Sequence, residues 1–80
     1  MTIMAASVMP LGLVRAGRDA TVRGLGEGGA FRRRLINLGL ASGARIKVVK
    51  NDLNGPIIVS LGECRLAIGR GMALRIMVEE

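Results

Sequence analysis

Histidine is absent from these 80 residues, and the one cysteine, Cys64, has no second thiol in the chain to pair with. A Ser, His and Asp set for acyl transfer therefore cannot be assembled, and Cys64 has no evident base to generate its thiolate. For a metal ion the sequence offers Glu63 beside Cys64 and the terminal Glu79 and Glu80, a spacing that gathers no three ligands. The plain reading is a buried Cys64 and solvated carboxylates. The five methionines read as core filler. No catalytic residue, metal ion or cofactor is expected.

Two stretches could bind rather than react. Gly24-Leu25-Gly26-Glu27-Gly28-Gly29 has the look of a phosphate-binding loop, because backbone amides at a helix N-terminus can hold an anion. Its context is wrong: a dinucleotide site needs a βαβ unit, and no Gly-Lys-Ser/Thr sequence supplies a P-loop. It reads instead as a flexible connection, with Glu27 near the positive end of the helix that follows.

The second stretch, Phe31-Arg32-Arg33-Arg34-Leu35-Ile36-Asn37-Leu38-Gly39-Leu40, is a short basic helix. At 100° per residue, Phe31, Leu35 and Leu38 share one narrow face, with Arg34 at its edge and Arg32, Arg33 and Asn37 turned away. Arg32, Arg33 and Asn37 are the candidate partner-binding residues. Arg34 is assigned a structural role, its stem over the core and its guanidinium on rim carbonyls or a carboxylate. Burial of Leu38 beneath the helix would make Leu38→Ala cost about 2 to 5 kcal/mol. Gly39 stands where a left-handed cap residue is wanted, and Leu40 where a side chain folds back on the last turn.

These residues need a frame, and the rest of the chain supplies one. Residues 1–8 read as a loose N-terminal extension, with Met4 and Met9 as alternative starts, and residues 9–80 as a single domain. The opening is apolar without the basic region of a signal peptide, and no run of 18 apolar residues could span a bilayer. Leu11 and Leu13 dock a short turn. Ala20 to Leu25 is a first strand weakened by Gly24, and the helix occupies about Gly29 to Leu38. From Ala44 the period becomes 2, with Ala44, Ile46 and Val48 on one face. Asn51 to Pro56 carries turn chemistry, Ile57, Val59 and Leu61 alternate again, and Gly62-Glu63 suits a tight hairpin into Cys64 to Ile68. Gly69 to Ala73 breaks the pattern with a short helical turn before a last strand from Arg75 to Glu79. About five short strands with one helix inserted after the first predict a mainly β chain, a small, strongly bent barrel.

Charge then narrows the partners. Twelve Lys and Arg, ten of them Arg, oppose six Asp and Glu, for a net charge of +6. Such a surface attracts anionic partners. Nucleic acid is disfavoured, because Phe31 is the one aromatic residue and is needed in the core rather than for stacking bases. A lone cysteine suits a reducing cytosol.

Arg34-Leu35-Ile36-Asn37-Leu38-Gly39-Leu40-Ala41-Ser42-Gly43 resembles the R-L-x-x-L-G-L-x-x-G signature of the FeoA family, small SH3-like proteins of bacterial ferrous iron uptake. Gly55-Pro56-Ile57-Ile58-Val59, Cys64 to Arg70, and Ala73 to Val78 are similar to that family's later strands. Ala41-Ser42 departs from the threonine and proline often found before the glycine. The resemblance implies an SH3-like barrel, a cytoplasmic location, and a non-enzymatic accessory role binding the cytosolic G-protein region of the FeoB permease. Contact with the membrane would be indirect, through that partner, and homo-oligomerisation stays open. It assigns Arg34, Leu35, Leu38, Gly39, Leu40 and Gly43 to the structural motif. The alternative is a small basic barrel that binds RNA or DNA through phosphate contacts. A metal-responsive regulator that takes Fe(II) is a third reading.

Overall fold

The computed structural model describes residues 8–26, 28–52 and 54–80. In chain order these form β1 (Val8–Pro10), a 3-10 turn (Leu11–Leu13), β2 (Asp19–Gly24), α1 (Gly29–Asn37), β3 (Arg45–Asn51), β4 (Ile57–Leu61), β5 (Cys64–Ile68), α2 (Arg70–Ala73) and β6 (Met77–Glu79). Residues 1–7 of the extension, and Glu27 beside the helix, lie outside the described residues.

One antiparallel sheet holds all six strands in the order β1-β6-β2-β3-β4-β5. The strand that sequence reading did not find is β1, three residues paired with β6 from Val8 opposite Glu79 to Pro10 opposite Met77. So short a run carries no periodic signal, and Pro10, which cannot donate to a ladder, is tolerated on an edge strand. Bulges between Val22 and Gly24 and between Val48 and Lys50 add local twist and help bend the sheet. The inward residues of the alternating strands, among them Val22, Ile46, Val48, Ile57, Val59, Ile68 and Val78, form one buried core with Leu11, Val14, Leu35, Leu40 and Ile76.

A single arginine ties the N-terminal turn to this sheet. Arg70, the first residue of α2, is half-buried. Its Nη1 donates to the Gly12 carbonyl at 2.9 Å. Its Nη2 donates to Asn51 Oδ1 at 2.8 Å, to the Gly55 carbonyl at 2.9 Å, and to the Asp52 carbonyl. Asn51 Nδ2 in turn donates to the carbonyls of Val14 at 2.6 Å and Gly12 at 3.1 Å. The planar fork is what allows one side chain to reach carbonyls from two segments at once.

Helix α1 connects β2 to β3 in the chain, and its end is a Schellman motif. Gly39 N–H donates to the Ile36 carbonyl at 2.9 Å and Leu40 N–H to the Leu35 carbonyl at 2.9 Å, with Gly39 at φ +96°. Leu35 and Leu40 are both fully buried. Gly43, at φ +94°, then closes a turn by donating to the Val22 carbonyl at 2.7 Å.

Two expectations for this helix are corrected. Leu38 does not lie over the core: it is 45% exposed. The cap folds Leu40 back over Leu35, so Leu40 supplies the apolar cover that a straight helical wheel assigns to Leu38. Arg34 is exposed and its guanidinium makes no hydrogen bond or ion pair among the described residues, so the rim-anchoring role falls to Arg70 instead. Arg34 stands on the exposed flank of α1, while the buried position in the same turn is taken by Leu35.

These contacts set three stability expectations, each read from a urea denaturation midpoint. Arg70→Met should cost about 2 to 3 kcal/mol, and Arg70→Lys should recover little of it, since an ammonium cannot fork between the two segments. Leu35→Ala should cost about 2 to 5 kcal/mol while Leu38→Ala stays within about 1 kcal/mol. Gly39→Val should cost at least about 2 kcal/mol, because φ is positive there and an added Cβ would lie 2.6 Å from Leu61 Cδ2.

Candidate functional site

The glycine run is resolved by its surroundings. Gly28, at φ +100°, is the residue before α1, and Gly26 presents its carbonyl to Arg32 Nη2 at 3.4 Å. The strands on either side of α1, β2 and β3, pair antiparallel, so this is not the parallel crossover that a dinucleotide loop requires. Cys64, expected to be buried, is exposed. It is the first residue of edge strand β5, beside the hairpin, where the barrel wall has run out of core to face. No group of three His, Cys, Asp or Glu that could hold a metal ion occurs among the described residues. Glu79 is not merely solvated: it is half-buried and pairs with Arg23 Nε at 2.9 Å.

The basic helix separates into two flanks. On one, Arg32 reaches back to the Gly26 carbonyl, and its neighbours across a hollow of about 280 Å³ include Arg23, Ile36 and Ser42. The arginines here are occupied, Arg23 by Glu79 and Arg32 by a carbonyl. On the other flank, Ala30, Arg33, Arg34, Asn37 and Leu38 line a hollow of about 390 Å³. A second hollow of about 380 Å³, lined by Ala30, Phe31, Arg34 and Met72, adjoins it through the shared Ala30 and Arg34.

The three candidate partner-binding residues are therefore not one cluster. Arg33 and Asn37 stand together, with Arg34 and Leu38 between and beside them, while Arg32 is on the opposite flank. The wheel placed all three away from the core without saying which of them are neighbours. The half-buried Phe31 is overlain by the guanidinium of Arg75, 4.0 Å from its ring centroid, a cation–π contact from the loop before β6.

A second cationic surface lies on the outer face of the sheet. Cross-strand pairing aligns Asp19, Lys47, Ser60 and Arg65 in one row, and Arg45 lies two residues from Lys47 on the same face of β3. The hollow there, about 260 Å³, is shallow and mixed in charge, since Asp19 contributes to its rim. Neither surface presents a nucleophile with a base, and both are suited to recognition.

Comparison with known proteins agrees with this description. Residues 9–80 match the model of the FeoA domain. A Methanocaldococcus jannaschii protein named Fe(2+) transport protein A is 38% identical over 71 residues, covering 89% of this chain and 85% of that one. The crystal structure of an iron uptake regulatory protein, FeoA, superposes with a TM-score of 0.85 at 40% identity, covering 91% of this chain and 97% of that one. A manganese-dependent transcriptional repressor in complex with manganese shares the fold alone, with a TM-score of 0.84 at 19% identity over 99% of this chain and 39% of its own. The SH3-like fold, the capped helix and the family match through the whole described domain lead to one conclusion: the chain belongs to the FeoA family.

Proposed function

We propose that this chain is a cytosolic accessory protein of ferrous iron transport that acts by binding the cytosolic G-protein region of a FeoB-type permease. The observation that carries the reading is the FeoA-domain match over residues 9–80, together with a relative of similar length named for Fe(2+) transport. The exposed surface of α1, which carries Arg33 and Asn37 on one flank and Arg32 on the other, is the contact surface, and the protein does no chemistry of its own. Supporting this, no helix among the described residues is long and apolar enough to cross a membrane, and the net charge of +6 favours rapid encounter with an acidic protein face.

Calorimetric titration into the purified cytosolic region of FeoB, with nucleotide-free, GDP and GTP-analogue states compared and a random RNA as control, tests the proposal. Saturable binding to FeoB and none to RNA is the expected result, and binding to RNA alone, lost as salt rises, would replace it with the nucleic-acid reading. In the same assay, the double variant Arg32→Glu with Arg33→Glu should weaken FeoB binding at least about tenfold, close to 1.4 kcal/mol, with an unchanged thermal midpoint.

A further inference from the structure

We propose that the docking footprint is one flank of α1, the stripe Ala30, Arg34 and Leu38 with Arg33 and Asn37 along its edge, and that it receives an acidic helical segment of the partner that carries two apolar anchors. This deepens the reading above and rests on it. The stripe follows the i, i+4, i+8 spacing of a helix flank and runs about 12 Å, at 1.5 Å rise per residue. Its two hollows meet at Arg34, one walled by Leu38 and Asn37, the other by Phe31 and Met72.

Three observations select this occupant. The guanidinium groups of Arg33 and Arg34 have no hydrogen bond or ion pair among the described residues, whereas those of Arg23 and Arg32 on the other flank are engaged. No carboxylate among the described residues lines either hollow, so the complementary charge is assigned to the partner. Leu38, 45% exposed beside these cations, gives the stripe an apolar component that a nucleic-acid backbone would not use. A carboxylate seated between two apolar side chains satisfies all three conditions, with Arg34 able to grip it through two parallel N–H donors. Desolvated by apolar neighbours on both sides, that pair would sit at the centre of the contact, where binding energy concentrates.

The test uses the full chain and the purified cytosolic region of FeoB. Calorimetry on Arg34→Glu and Leu38→Gln should show affinity lowered at least about tenfold in each, against a change within about twofold for Lys47→Glu on the outer sheet face. Because Arg34, Leu38 and Lys47 are all exposed, the three variants should stay folded with thermal midpoints close to that of the wild type. Amide resonances of the wild-type protein, followed as FeoB is added, give a second measurement that needs no variant: those of Ala30, Arg34 and Leu38 should move or broaden first. Binding that persists in both stripe variants, or shifts confined to the sheet face, would overturn the footprint while leaving the partner in place. Absence of wild-type binding in every nucleotide state would overturn the partner and the footprint together.

Discussion

Arg70 projects its guanidinium into the gap between the Leu11–Leu13 turn and the loop after β3, and segments far apart in sequence close on it. Without that fork, the carbonyls of Gly12, Asp52 and Gly55 would need water or other partners in a half-buried place, and the short β1 would lose the turn that delivers it to β6. Asn51 completes the arrangement by donating to Gly12 and Val14 while accepting from Arg70. In a chain of 80 residues with one aromatic side chain, the apolar core is small, and a polar clamp of this kind fixes which way the N-terminal turn packs.

With the frame closed, α1 is held by little more than its own end. Leu35 and Leu40 are buried and adjacent through the Schellman bonds, Phe31 is half-buried beneath Arg75, and the rest of the helix faces outward. Such an element can present side chains without being distorted by them. The exposed arginines and Leu38 cost the fold little to carry, because much of each side chain already faces water. The outward side chains of α1 are thereby decoupled from the core that the strands build.

The two cationic surfaces differ in the way that matters for recognition. On the sheet, Arg45, Lys47 and Arg65 are interspersed with Asp19, Ser60 and Thr21, a mixture suited to solubility. On the open flank of α1, uncompensated arginines adjoin exposed apolar carbon. Charge alone governs encounter, whereas charge beside a desolvated apolar anchor can also hold a partner.

The elements legible from the residues alone are those whose signals are local. Ile46 and Val48, then Ile57 and Val59, alternate because one face of a strand is buried. Gly62-Glu63 makes a hairpin because its first residue accepts positive φ, and Gly39-Leu40 ends a helix for the same reason. The family signature is legible for the same cause, being written in those capped and turning residues. Everything set by contacts between distant parts of the chain had to wait for the packed fold. β1 exists only because β6 is there to pair with it. Arg70 is a clamp, and the Arg34 guanidinium has no partner among the described residues, because carbonyls 15 to 58 residues away in sequence surround the first and not the second. Cys64 is exposed because β5 is an edge, and Leu38 because Leu40 folds back across the helix end. A helical wheel gives the direction of a side chain from its own axis, but only the packed neighbours decide whether that direction leads to core or to water.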